Sequence, residues 1–160
     1  LAARREEKLQ ALAAELQQDF NVQTKTIAVD LTASTAMDVL QQETKDLDVG
    51  LLISNAGAAI PGAFLKRSLD DRSRVLRLNV MAMTELAHTF GQRFVKRGSG
   101  GILLTSSISA YMGTPYIADY AAAKAYVLAL GEGLHTELKP QNVDVTVLMP
   151  GPTRTEMVQM

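Results

Sequence analysis

Tyr120 and Lys124 stand four residues apart in an alanine-rich stretch, so a helix through them sets both side chains on one face, close enough to interact. A phenol has a reference pKa of about 10 and is a poor proton donor or acceptor at neutral pH until a nearby ammonium favours its anion. Lys124 can supply that charge. With its pKa lowered, Tyr120 can act as general acid toward a carbonyl oxygen that receives hydride, and as general base in the reverse direction. The same pair on an exposed helix is commonplace, so its surroundings carry the weight. Ser107 lies thirteen residues before Tyr120 at the end of an apolar run, Asn55-Ala56-Gly57 ends the preceding run, and Pro150-Gly151 ends the next one.

Composition narrows the classes further. The chain has 160 residues, 47% apolar and 21% charged, with a net charge of −1. That suits one domain of usual size, and no apolar run approaches the ~18 residues of a membrane span. Basic residues are spread along the chain rather than clustered, so neither nucleic acid nor an anionic membrane is an expected partner. The absence of cysteine excludes a disulfide scaffold, a Cys-ligated metal site and a thiol nucleophile, and fits a reducing, cytoplasmic setting. His88 and His135 lie far apart without metal-ligand spacing, so no metal is expected and both are assigned to helix surfaces. The start, Leu1-Ala2-Ala3-Arg4-Arg5, is neither a signal peptide nor a credible domain start, and little follows Pro150-Gly151-Pro152 to cover a sheet. The sequence therefore reads as a piece of a longer chain.

The elements that must position these residues follow from hydrophobic spacing. Leu9, Leu12, Ala13 and Leu16 recur at helical spacing over 5–20, and a strand is predicted over 24–30. Ser34 or Thr35 can cap a helix over 36–45, and 49–54 suits a buried parallel strand. Ser68 opens a long helix toward Arg97 in which Val75, Leu78, Met81, Ala82 and Leu86 share a side. Gly98-Ser99-Gly100-Gly101 reads as a connector, followed by a strand over 102–105, an Ala-rich helix stopped before Pro140, and a strand over 143–149. No repeat, low-complexity tract or interdomain linker is evident. Helices alternating with short apolar strands imply an α/β fold, a Rossmann-like doubly wound parallel sheet with helices on both faces, as one partial domain over 1–160. Ligands of such sheets bind outside the carboxyl ends of the strands. The residues there are Asp30-Leu31, Asn55-Ala56-Gly57, Ser106-Ser107 and Pro150-Gly151.

Taken in order, Asp30 after a strand, Asn55-Ala56-Gly57, Asn79 in the long helix, Ser107, Tyr120-x-x-x-Lys124 and Pro150-Gly151-x-x-x-Thr155 resemble the short-chain dehydrogenase/reductases, in the shorter branch that carries an NAG motif. Each motif is weak alone, whereas the ordered set is specific. The resemblance implies that Tyr120 is the general acid/base, that Ser107 polarises and orients the carbonyl, and that Lys124 both lowers the tyrosine pKa and bonds the nicotinamide ribose. It implies that the backbone carbonyl of Asn79 holds a water in a proton relay, and that the Thr153 backbone and Thr155 side chain hold the nicotinamide carboxamide. The remaining cofactor contacts fall to Asp30, Leu31, Asn55, Ala56, Gly57, Pro150 and Gly151, with Tyr120 itself also touching the cofactor. The substrate implied is a small-molecule carbonyl or alcohol. A homodimer or homotetramer is also implied, through the long helix and the Tyr-bearing helix, where Ala121, Ala122, Ala125 and Ala129 would allow close approach.

If Leu1-Ala2-Ala3 ends the family's second strand, Arg4 and Arg5 occupy the place where an acidic residue would bind an NAD ribose diol. Arginine there binds a 2′-phosphate, so NADP(H) is expected over NAD(H). The family's first strand and its glycine-rich pyrophosphate turn are missing from this sequence, and so is the C-terminal segment that covers substrate. The strands at 24–30 and 49–54 would then be three strand spacings of ~4.8 Å apart and unpaired with each other. Ser109, Tyr111, Met112 and Tyr116 flank the site and are candidates for substrate contact. Met81 and Met83 suit packing or subunit contact. Two alternatives stay open beside the carbonyl reductase or alcohol dehydrogenase: a non-enzymatic nucleotide-sensing or scaffold protein of the same fold, and an extended-branch epimerase or dehydratase. The NAG and Pro-Gly motifs argue against the latter.

Overall fold

The structure, a computed structural model of the chain, describes residues 1–153. It divides into two compact units, Leu1–Asp48 and Val49–Met160.

In the first unit, β1 (Ala2–Ala3), α1 (Glu6–Phe20), β2 (Ile27–Ala28) and α2 (Ala36–Thr44) alternate, and the two strands pair in parallel with Ala2 opposite Ile27. The expected strand over 24–30 is thus regular for two residues only, although Val29 N–H still donates to Ala3 O at 2.9 Å. Helix α1 buries Leu9 and Ala13 against this short ladder. Leu12, expected on the same side, is 43% exposed, because so short a ladder covers only a narrow stripe of the helix. Thr35 stands at the N-cap of α2 without a side-chain cap bond, and Ser34 supplies none either. A backbone turn replaces the expected cap, with Ala36 N–H donating to Ala33 O at 3.1 Å.

The second unit holds β3 (Leu51–Ser54), α3 (Leu69–Leu76), α4 (Ala82–Arg97), β4 (Gly100–Thr105), α5 (Ala118–Leu138) and β5 (Val143–Leu148). Its sheet has the order β3-β4-β5 and is parallel throughout. Each connection between neighbouring strands carries a helix, as parallel pairing requires. Residues 27–28 and 51–54 are not paired with each other, as expected from the sequence, but they lie in two separate sheets rather than in the single sheet expected. Leu51 and Ile53 are more than half exposed, contrary to the buried strand expected there. Leu51 and Ile53 alternate with Leu52 and Ser54 and so share one face of β3, which nothing covers fully among the described residues.

Ser68 Oγ accepts from Asp71 N–H at 3.1 Å and starts α3, the predicted cap. The long helix then widens into one π-helical turn, Arg77–Met81, before α4. That turn advances the phase of the buried face, so Asn79 is fully buried while Met81, expected inward, is 52% exposed. Met83 is buried and packs. Gly98 ends α4 in the left-handed region at φ 78°, where glycine carries no Cβ penalty. The expected connector is shorter than predicted, since Gly100 and Gly101 already belong to β4; a Cβ on Gly100 would overlap Phe94. His88 and His135 are both exposed, and Val145 O lies 3.0 Å from His135 Nδ1. Among the described residues, no helix is long and apolar enough to cross a membrane.

Candidate active site

Three parallel strands deliver their carboxyl ends to one place in the second unit. After β3 comes Asn55-Ala56-Gly57, after β4 come Ser106 and Ser107, and after β5 come Met149, Pro150 and Gly151. Backbone bonds tie the last two segments together: Ser106 N–H donates to Leu148 O at 2.8 Å and Ile108 N–H to Pro150 O at 3.2 Å.

Helix α5 brings Tyr120 and Lys124 to these ends. Its N-terminal half lies close to the sheet because Ser106 Oγ donates to Lys124 O at 2.7 Å, anchoring the helix backbone to the residue after β4. Lys124 is 3% exposed. Its Nζ donates to Thr105 O at 2.8 Å and stands 5.5 Å from the centre of the Tyr120 ring. Burial pushes the Lys124 ammonium down to about 8, since a low-dielectric surround disfavours the charged form. A lysine has three donors, and one is spent on Thr105.

Asn79 sits on the π-helical turn with its side chain between two carbonyls, Nδ2 donating to Ala58 O at 2.8 Å and to Val75 O at 2.9 Å. This holds the loop after β3 against the long helix. A Cβ added to Gly57 would come 2.8 Å from Asn79 Oδ1 and 3.3 Å from Lys124 Nζ, so only glycine leaves room between them. Asn79 Oδ1, Ser54 Oγ and Thr105 Oγ1 are buried without a hydrogen-bond partner among the described residues. Orphaned buried polar atoms are uncommon and mark places where water or ligand belongs. Here they gather at the strand ends beside a buried amine with donors to spare. That donor set, beside unpartnered acceptors at the strand ends, fits the polar ribose end of a dinucleotide.

Ser107 is 9% exposed, extended at φ −167°, and its Oγ accepts from Ser109 N–H at 3.2 Å. Ile108, Tyr111, Met112 and Tyr116, in the connection that follows, are exposed by 47%, 72%, 71% and 68%. Thr153 is exposed, with Oγ1 donating to Gly151 O at 3.0 Å, and Thr155 lies outside the described residues. In the first unit, Arg4 is exposed at the bend after β1. Asp30 follows β2 and accepts from Thr32 N–H at 2.9 Å and Thr32 Oγ1 at 2.8 Å, while the Leu31 side chain is buried. Sequence reasoning missed Arg72 and Asp119, a buried ion pair at 3.0 Å beside Tyr120. The signal was present: an arginine three residues before Val75 and seven before Asn79 lies on the buried face of its helix. Ser106 was placed at the strand end but not recognised as the anchor of α5.

The short chain dehydrogenase family model matches residues 1–160, and the chain belongs to that family. It is 31% identical over 155 residues to a 7beta-hydroxysteroid dehydrogenase of Clostridium sardiniense, covering 97% of this chain and 59% of that protein. It is 30% identical over 164 residues to a very-long-chain 3-oxoacyl-CoA reductase of Bos taurus, covering 100% of this chain and 53% of that protein. The chain thus spans little more than half the length of these curated relatives. Among solved structures, a short-chain dehydrogenase from Sphingobium yanoikuyae in complex with NADPH matches with a TM-score of 0.93 and 35% identity over 98% of this chain and 62% of that one. A bulky-bulky ketone specific alcohol dehydrogenase from Comamonas testosteroni matches with a TM-score of 0.91 and 32% identity, over 97% and 62% of the two chains. These likenesses fit the Rossmann-like α/β fold expected from the sequence.

Proposed function

We propose that this chain carries the proton-transfer site of an NADP(H)-dependent oxidoreductase that interconverts a bulky apolar ketone and its secondary alcohol. The observation that carries the reading is the buried Lys124 ammonium, held between Thr105 O and the Tyr120 ring and next to Gly57 and Asn79. When bound, the nicotinamide supplies or accepts the hydride at the carbonyl carbon. Tyr120 gives its phenolic proton to the substrate oxygen in reduction and takes it back in oxidation. The positive charge of Lys124 favours the phenolate left behind, and its remaining donors suit ribose hydroxyls. Ser107 donates a hydrogen bond to the same substrate oxygen, as its place after β4 allows. Asn79 keeps the loop after β3 on the long helix and, through its backbone carbonyl, would hold a relay water.

Substrate class follows from the connection after Ser107, whose exposed Ile108, Tyr111, Met112 and Tyr116 offer an apolar surface, with Ser109 as a polar contact. Three of the relatives' names fit such a surface, since a hydroxysteroid, a very-long-chain 3-oxoacyl group and a bulky-bulky ketone each present a large apolar part, although a gluconate 5-dehydrogenase also matches. Cofactor choice rests on Arg4, at the end of β1. Its guanidinium would pair with a 2′-phosphate, and Asp30 and Leu31, after the next strand, would contact the adenosine end. Asn55, Ala56, Pro150, Gly151, Thr153 and Thr155 would complete the cofactor contacts. The test is NADPH oxidation by the full-length protein across steroid ketones, bulky aryl ketones and 3-oxoacyl thioesters, with Tyr120→Phe as control. Turnover lost in the control supports the reading. Tight NADPH binding without turnover on any of these ketones would sink it and favour a nucleotide sensor.

A further inference from the structure

The first turn of α5, which carries Tyr120, has no conventional cap, since Ile117 at its N-cap offers no side-chain acceptor. The backbone N–H of Tyr120 is met instead by the carboxylate of its neighbour, Asp119 Oδ1, at 3.1 Å. Asp119 is itself held from 47 residues away. Arg72 Nη1 donates to Asp119 Oδ1 at 3.1 Å and to Oδ2 at 3.0 Å, and both side chains are 7% exposed. The other arm of the same guanidinium, Nη2, faces three successive carbonyls, Gly62 O at 3.4 Å, Ala63 O at 3.3 Å and Phe64 O at 3.4 Å. Gly62 in turn donates its N–H to Tyr116 O at 2.8 Å. Tyr116 stands at φ 66°, a left-handed conformation that a tyrosine keeps only when its surroundings impose it. One side chain on α3 therefore joins the chain after Asn55-Ala56-Gly57, the end of the Ser107 connection and the turn that bears the tyrosine.

Burying an ion pair costs desolvation that two apolar residues of similar volume would avoid, so stability alone does not account for this arrangement. We propose that Arg72 and Asp119 are positioning residues that fix the backbone of Tyr120, and with it the phenol, relative to Ser107 and Lys124. The inference rests on the proposed reductase reading for its kinetic consequence, but not for its structural one. Removing Arg72 alone strands a buried carboxylate and can unfold the protein. The informative variant is therefore the double replacement Arg72→Met with Asp119→Leu, which keeps volume and apolar packing.

Two readouts decide it in the full-length protein. In kcat for ketone reduction, the double variant should fall on the order of 10–100-fold with KM little changed, while its thermal midpoint matches or exceeds that of the native protein. Arg72→Lys, which keeps the charge, should recover part of that loss. In protein labelled with 3-fluorotyrosine, the 19F line assigned to Tyr120 by its absence in Tyr120→Phe should be single in the native protein and broadened or split in the double variant. A double variant with native kcat would overturn the proposal. So would an unchanged 19F line, even if the native protein reduces no ketone and the reductase reading falls separately.

Discussion

At the first turn of α5, Arg72 meets Asp119 at 3.0 Å with both side chains 7% exposed; just past the last turn, Lys139 meets Asp144 at 2.7 Å with side chains 64% and 73% exposed. The outer pair is the shorter of the two, yet water and salt screen it, and pairs of that kind contribute little. Its mark is a local one: the Lys139 hydrogen bond, and then its charge, hold the Asp144 carboxyl below the usual carboxylate range. That support is present at neutral pH and is lost on acidification through the lowered carboxyl pKa. At the inner end, the same chemistry is sealed from solvent, one residue from Tyr120 and five from Lys124. Distance alone says nothing about consequence; burial and what stands next to the pair decide it.

The contrast can be broken or sharpened by substitution. Tyr120→Phe should lower kcat by about 10²–10⁴-fold while leaving NADPH affinity and thermal midpoint near native, since only the phenolic hydroxyl is lost and the ring is kept. Arg72→Met alone should cost about 3–5 kcal/mol in denaturant unfolding, because Asp119 is left buried and unpaired. Gly57→Ala puts a Cβ 2.8 Å from Asn79 Oδ1 and 3.3 Å from Lys124 Nζ. It should weaken NADPH binding by roughly tenfold, measured by fluorescence titration, with a smaller loss of stability. Lys139→Gln, at the outer end, should leave kcat unchanged and shift the thermal midpoint too little to resolve. A large effect there would undo the comparison.

How much of this was legible follows the range over which each signal acts. Tyr120 and Lys124 share a face because helical spacing is local, and Ser107, Gly57 and Pro150 were marked by their places at the ends of apolar runs. The parallel order β3-β4-β5 follows from short strands alternating with helices. The π-helical turn was hidden, because one widened turn changes the buried face without changing composition, and Met81 was misplaced as a result. Leu51 and Ile53 look like core residues in sequence, but they share one face of β3 that is left largely uncovered among the described residues, which an apolar run does not reveal. The Arg72–Asp119 pair joins residues 47 apart, a relation that no local pattern encodes, although a charge on an inward helix position hints at a buried partner.

Lys124 offers the most direct test, because its charge changes within the working range. Its folded pKa of about 8 lies below the lysine reference of 10.5, so the folded protein carries a desolvation cost below pH 8 that is relieved as pH rises toward 10.5. Stability from this residue therefore increases over the window in which the charge proposed to assist proton transfer disappears. The measurement is kcat/KM for NADPH against pH at saturating ketone, which reports groups of the cofactor-free protein, in the native protein and in Lys124→Arg. The site described here predicts a rate that falls as pH rises through about 8 in the native protein. In Lys124→Arg, at a lower overall rate, that fall should move to higher pH. A native profile flat to pH 10, or one that Lys124→Arg leaves in place, would contradict a role for the Lys124 ammonium in proton transfer.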